Sequence, residues 1–315
     1  MQGAILFVGF SVLAVLSFRE AGGVRGFSQN LPNDVNSFLG VGEVGVIPAA
    51  SLAVVIAVGV LATPSYRQRI YSATNTATVR RSFLLVGILF ALFAIIPAIA
   101  GMSARVLNPD MANSDQAFPF LATEVFPVWL GGFLLVSGLS ATASSGDSDA
   151  ITAVTIFLRD VYRMIVGRLP AEENVVLYSR IGLAVVMSVA FVVTIFATSV
   201  IDYITLMIST VLSGLFVAAV LGKFWPRATW QGGIACMVGG SATALAINAS
   251  ESWTGFWGNP VIPSLLAALL AGVAVSLLTP RRDVAEEEAL RRLGEERSPV
   301  EAEPGAGSLG WRAEG

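Results

Sequence analysis

The stretch from Val128 to Tyr162, VWLGGFLLVSGLSATASSGDSDAITAVTIFLRDVY, decides the fold. It opens on about a dozen uncharged residues, and together with its second half it is long enough to cross a bilayer core of about 30 Å. In its middle stands Ser144-Ser145-Gly146-Asp147-Ser148-Asp149. Hydroxyls and carboxylates at membrane depth are costly unless they face protein, water or an ion. Ser137, Ala141, Ser144, Ser148, Thr152 and Thr155 succeed one another at three- and four-residue steps, which puts them on one face of a helix. Leu134, Leu135, Val136, Leu139, Ile151, Ile156 and Phe157 suit lipid or neighbouring helices. The small, hydroxyl-bearing stripe has two readings: a wall of an ion or substrate path, or close packing of helix backbones. The acids in the same span favour ion handling.

The rest of the chain agrees with a membrane setting. Its 315 residues are 55% hydrophobic and 13% charged, the mean hydropathy is +0.73, and apolar runs near twenty residues recur between short polar breaks. Continuous runs of this length are helices, whereas a β-barrel shows shorter, alternating segments. The fold class expected is therefore an all-α polytopic membrane protein. One cysteine, Cys236, and no histidine leave no basis for a disulfide framework, a zinc site or histidine-based catalysis. No basic segment precedes the first apolar run, so no cleavable signal peptide is read there.

Eight spans are expected, at about residues 2–18, 46–66, 82–102, 128–162, 176–199, 201–223, 231–248 and 260–278. Gly59 and Pro64 interrupt the second, the pattern of a discontinuous helix of the kind that supplies carbonyls and helix ends to transporter sites. Arginine and lysine collect in alternate loops: Arg67, Arg69, Arg80 and Arg81; Arg159, Arg163, Arg168 and Arg180; Lys223 and Arg227; Arg281 and Arg282. The other loops hold only Arg19, Arg25 and Arg105. By the positive-inside rule both termini are cytoplasmic and the protein lies in the cell membrane. The long outer loops, 19–45 and 104–127, are expected to be connections, the second with a short surface helix at AFPFLATEVFP. Residues 1–280 form the transmembrane domain, and 281–315 read as a solvated, mixed-charge cytoplasmic tail, disordered beyond one short helix.

Several motifs resemble the sodium:solute symporter family. Ala141-Thr142-Ala143-Ser144-Ser145-Gly146-Asp147-Ser148, with Phe157-Leu158-Arg159-Asp160-Val161-Tyr162 after it, is similar to the family helix with a small residue, a Ser/Thr pair and an Asp-[IV]-Tyr end. Arg67-Gln68-Arg69-Ile70-Tyr71-Ser72-Ala73 with Arg80-Arg81 resembles the end of the family's broken helix. Leu221 to Thr229, with Gly232-Gly233, resembles its Leu-Gly-x-Phe-Trp-Lys-Arg-Ala-Thr turn. Gln2-Gly3 resembles the end of a Thr-Asp-x-x-Gln-Gly entry to an earlier helix. The matches run from residue 2 to about 279.

The resemblance implies the leucine-transporter type of inverted-repeat fold, here partial. The first span is the last helix of the first repeat, spans two to six are the second repeat, and spans seven and eight flank it. The first four core helices are expected to be missing, which makes them a partner of this chain and Met1 the start of a truncated product. The resemblance also implies a sodium site at Ala141, through its carbonyl, and at Ser144 and Ser145, through their hydroxyls; oxygen donors suit a hard cation. Asp147 and Ser148 match positions that some members use for a second cation. Asp149, unusual for the family, is read as a proton-linked acid, an arginine partner or a protonated group. Solute contacts are expected at Ala57, Gly59 and Thr63, and at Ser209, Thr210 and Ser213.

The function expected is sodium-coupled symport of a small organic solute, with Na⁺ as coupling ion, the bilayer as surroundings, no enzymatic activity and no nucleic-acid partner. Sugar, amino acid, carboxylate, urea and vitamin carriers share the framework, so the solute is left open. The rival readings are a non-transporting sensor or scaffold domain, or an inactive symporter fragment. An intramembrane enzyme built on Asp147 and Asp149 has no accompanying protease-type motif.

Overall fold

The computed structural model describes residues 2–32, 44–167, 170, 172–196, 199–280, 288 and 291. Among the described residues the chain is helical and holds no strand. Lipid offers backbone groups no hydrogen-bond partners, so each apolar run satisfies its own N–H and C=O groups by coiling. Five helices are long and apolar enough to cross a membrane, and eight spans result if each of three bent pairs counts as one.

In chain order the helices are α1 (Gln2–Glu20), α2 (Gly23–Asn30), α3 (Val46–Ala62), α4 (Pro64–Tyr71), α5 (Thr76–Phe93) and α6 (Ile95–Leu107). After them come α7 (Ala117–Phe120), α8 (Val128–Ile156), α9 (Arg163–Val166), α10 (Glu172–Phe196) and α11 (Val200–Met207). The last four are α12 (Ser213–Phe224), α13 (Trp230–Asn248), α14 (Glu251–Trp257) and α15 (Val261–Leu278). Wider π-type turns carry the chain through Leu121–Val125, Phe157–Tyr162 and Ile208–Leu212; such turns are rare and concentrate at functional sites.

Two packed regions hold the helices. In one, Leu13 of α1, Ala100 and Ala104 of α6, Leu121 of the first π-type turn and Leu134 of α8 share a buried cluster, and Phe10 stacks on Phe118 at 5.1 Å between ring centres. In the other, α12, α13 and α15 meet through small residues. A Cβ on Gly214 would lie 2.5 Å from the Cα of Met237, and one on Gly272 would fall on the Cys236 sulfur. Membrane helices gain nothing from burying apolar side chains against apolar lipid, so close backbone approach is what holds such a trio together. The turn between α12 and α13 is pinned to the end of α15. Arg227 donates to the carbonyls of Leu277 (3.2 Å) and Thr279 (3.0 Å), and the Thr229 and Thr279 hydroxyls lie 2.8 Å apart. The Leu221–Thr229 motif thus closes a helix C-terminus that has carbonyls to spare.

Three expectations change. The outer connection at 19–45 contains a helix, α2, set at 66° to α1 across Gly22 and Gly23, whose φ angles of 83° and 62° only glycine adopts cheaply. The AFPFLATEVFP segment is helical but not on the surface: Leu121 and Ala122 are fully buried and Phe126 nearly so. Phe118, Leu121, Ala122 and Val125 recur at helical spacing, and that apolar face is drawn into the α1–α8 contact. The seventh span continues, after a 107° bend, into α14, which carries exposed Trp253 and Phe256 as interfacial helices do. Of the tail, 281–287, 289, 290 and 292–315 lie outside the described residues, and so do 33–43.

Candidate ion and solute site

The discontinuity of the second span falls at Thr63. Its backbone is extended (φ −64°, ψ 128°), Pro64 opens α4, and the two helices meet at 52°. Pro64 has no N–H to give the carbonyl of Val60, so the break leaves an acceptor free in an apolar setting. Thr63 closes the end of α3 by donating its hydroxyl (2.5 Å) and its N–H (3.0 Å) to the carbonyl of Gly59.

The broken span stands between two other helices. On the α3 side, Gly59 faces Ile208, whose Cδ1 would lie 2.8 Å from an added Cβ, and Val55, Val58 and Val261 are buried beside it. On the α4 side, Gln68 accepts a hydrogen bond from Thr152 (3.0 Å) and Arg69 donates to the Ser148 hydroxyl (3.4 Å). A cleft of about 330 Å³ opens there, lined by Ser65, Gln68, Arg69, Ser72, Ser148 and Thr152 with Ile151. In the sequence Gln68 and Arg69 stand out only as motif letters. Their role as the α8 contact had one signal, a glutamine and an arginine just past a helix break.

The predicted ion residues lie together on α8: Ser148 borders that cleft, and Ser144, Ser145 and Ala141 follow one to two turns further from it. Ala141 and Ser148 are half-buried, and Ser144, Ser145, Asp147 and Asp149 are exposed. Most hydroxyls of α8 are committed to the carbonyl four residues back: Ser137 to Phe133 (3.0 Å), Thr142 to Gly138 (3.2 Å), Ser148 to Ser144 (3.5 Å), Thr152 to Ser148 (2.8 Å) and Thr155 to Ile151 (2.8 Å). The hydroxyls of Ser140, Ser144 and Ser145 make no hydrogen bond among the described residues. Neither Asp147 nor Asp149 has an ion-pair partner among them. The donor set that α8 offers is thus three unengaged hydroxyls, two of them on the exposed turn at Ser144 and Ser145, and nearby carbonyl and carboxylate oxygens, all hard donors suited to an alkali cation rather than a soft metal.

The predicted solute residues are divided. Gly59 is buried against Ile208 and Ala57 is exposed two residues away, on the far side of α3. Ser209 and Ser213 are fully buried and donate to the carbonyls of Thr205 (2.6 Å) and Ser209 (2.5 Å). Thr210 sits in the same π-type turn; its carbonyl accepts from Ser241 (2.6 Å), while its buried hydroxyl has no partner among the described residues.

A span broken between a hydroxyl-bearing helix and a π-turned one, in a polytopic helical chain, is the arrangement of an all-α membrane protein with a polar site between its helices. The family is given by sequence: the model of the sodium:solute symporter family matches residues 1–240, and the chain belongs to that family. The chain is similar to the sodium/pantothenate symporter of Escherichia coli, 26% identical over 280 residues, 86% of this chain and 57% of that protein. It is also similar to an osmoregulated proline transporter of Bacillus subtilis, 23% identical over 292 residues, covering 89% and 58%. With the sodium/myo-inositol cotransporter of Canis lupus familiaris it shares 30% identity over 194 residues, 52% of this chain and 26% of that one. The chain therefore spans less than three-fifths of the length of these relatives.

Proposed function

We propose that this chain forms the sodium-binding half of a secondary transporter that moves a small organic solute together with sodium across the cell membrane. The observation that carries the reading is the pair of unengaged hydroxyls, Ser144 and Ser145, on an exposed turn of a membrane helix whose other hydroxyls are mostly tied to their own backbone. An exposed turn bearing two carboxylates is expensive in lipid. Its natural covering is a complementary set of helices of the same transporter, which supplies the remaining oxygen ligands. In this reading Ala141, Ser144 and Ser145 hold sodium as a co-substrate, and Asp147 and Ser148 serve a second cation. The break at Ala57, Gly59 and Thr63, together with Ser209, Thr210 and Ser213, lines the solute path. Of these, Thr210 has the strongest support, because a buried hydroxyl without a partner is costly until a ligand satisfies it.

Coupling depends on which state the ion favours. Sodium on Ser144 and Ser145 ties α8 to the complementary helices and raises the population of the outward-open state. Ser148 lies one turn beyond Ser144, about 6 Å along the helix, and borders the cleft shared with Gln68 and Arg69. That cleft is the polar exit on the side marked by Arg67, Arg69, Arg80 and Arg81, which the charge bias makes cytoplasmic. The same bias puts both ends of the 1–280 transmembrane domain, and the 281–315 tail, in the cytoplasm.

The test is uptake of labelled pantothenate, proline and myo-inositol by cells expressing the complete transporter, in sodium and in choline buffer. Replacing Ser144→Ala and Ser145→Ala together is expected to weaken the sodium dependence by at least about tenfold, the equivalent of about 1.4 kcal/mol of lost ligation. Thr142→Val, which removes a hydroxyl already bonded to Gly138, leaves it within about twofold. Unchanged sodium dependence in the double variant, with normal insertion, would show that the ion is held elsewhere.

A further inference from the structure

The corner between α4 and α5 carries a feature that symport does not use. The two helices bound a groove of about 270 Å³. Tyr66, Arg69, Ile70 and Ala73 line it from one side and Val79, Ser82, Phe83 and Val86 from the other. Each set has i, i+3, i+4, i+7 spacing, so two helical faces are turned towards one another with the space between them open. Helix α5 has no buried residue at all, and Phe83 and Val86 are 40% and 44% exposed. The groove is mostly apolar, and the outer face of α5 beside it exposes Leu84, Leu85, Ile88 and Leu89.

Its rim is basic. Arg69 rests over the Tyr66 ring, 5.4 Å from its centre, Arg67 and Arg80 flank the two lining faces, and Arg81 comes next. Arg67, Arg80 and Arg81 make no side-chain hydrogen bond or ion pair among the described residues. From residue 44 to residue 109 the sequence contains no Asp or Glu, so neither α4 nor α5 carries an acid of its own to neutralise them. A cationic rim over an apolar slot at a membrane face is complementary to one molecule, an anionic phospholipid: phosphate at the arginines, acyl chain along Ile70, Phe83 and Val86.

We propose that the α4–α5 groove binds an anionic phospholipid, selected over zwitterionic lipid by Arg67 and Arg80, which flank the lining faces, beside Arg69 in the groove itself. A soluble anion would use the rim but not the slot; a zwitterionic lipid would use the slot but gain little at the rim. The site shares Arg69 with the exit cleft but none of the residues proposed to hold an ion, and Arg67 and Arg80 line neither that cleft nor the ion site, so a transporter that fails the uptake test can still pass this one.

The experiment is native mass spectrometry of the full chain released from nanodiscs that contain equal amounts of phosphatidylglycerol and phosphatidylcholine. The expected result is phosphatidylglycerol adducts exceeding phosphatidylcholine adducts at least about fivefold, the ratio falling to about one in R67Q/R80Q and staying in R81Q, whose arginine faces away from the groove. Val86→Trp, which fills the slot without touching a charge, is expected to remove the adduct as well. Excess inorganic phosphate added to the unaltered protein should leave the adduct in place. Equal binding of the two lipids overturns the proposal, as does an adduct that survives Val86→Trp, which marks diffuse surface attraction. Loss of the adduct to inorganic phosphate overturns it too, in favour of a plain anion site.

Discussion

The two parts of α8 have similar compositions and opposite surroundings. From Val128 to Ser140, Gly131, Ser137 and Gly138 are packing surfaces. A Cβ on Gly131 would fall on the carbonyl oxygen of Ala122, one on Gly138 would lie 2.7 Å from the Phe118 ring, and Ser137 is fully buried against Gly9 of α1. From Ala143 to Asp147 every residue is exposed, and a Cβ on Gly146 would have nothing within 4 Å. Burial resumes at Ala150, Thr152 and Val154. A bare polar turn thus lies between two packed stretches of one helix. Small and hydroxylated residues serve close packing where another backbone approaches, and offer ligands where none does.

That contrast breaks first on size. Leu134→Ala removes a fully buried side chain from the α1–α6–α8 cluster, and is expected to cost about 2–5 kcal/mol in detergent-micelle unfolding. Leu139→Ala, at a site 69% exposed, should stay within about 0.5 kcal/mol. Both sites lie in the first part of α8, so equal losses would mean that its Leu134 face is packed no more closely than its exposed face. The glycines give the next largest effect: Gly131→Ala must push aside a backbone carbonyl and should cost about 1–3 kcal/mol. Gly146→Ala meets no atom and should be neutral or stabilising, by up to about 1 kcal/mol of helix propensity. Unfolding midpoints of the two variants, measured side by side, check the pair.

Much of the fold is readable from the sequence because it rests on long windows. The apolar runs specify their helices, and Pro64 announces the break at Thr63 because a missing N–H acts whatever its surroundings. The passage from α5 to α6 falls where Pro97 has no N–H to give the carbonyl of Phe93, but whether that proline kinks the helix or ends it is not readable, since Ala94 stays in the right-handed helical region (φ −57°, ψ −25°). The same limit applies to the hydroxyls. Spacing alone groups Ser137, Ser144 and Thr152 on one stripe, yet Ser137 abuts Gly9, Thr152 bonds Gln68, and the Ser144 hydroxyl has no partner among the described residues. Which use a hydroxyl finds is set by the neighbouring helix, and no local pattern encodes that neighbour. Ser209 and Ser213 illustrate it, since both donate within their own helix while Thr210 between them does not.

The lower boundary of the bare turn gives the smallest and most specific prediction. There Thr152 shares its hydroxyl between the carbonyl of Ser148 (2.8 Å) and the Gln68 side chain (3.0 Å). The second bond is the one that crosses between helices. Interhelical hydrogen bonds within membrane proteins are modest, so Thr152→Val and Gln68→Leu in a double-mutant cycle should show a coupling of about 0.6 kcal/mol. The value matters less than its dependence on sodium. If α4 and α8 separate as the ion leaves Ser144 and Ser145, the coupling measured in sodium should differ from that measured in choline. If the two values coincide, Thr152 and Gln68 belong with the packed stretches of α8 and the bare turn ends above them.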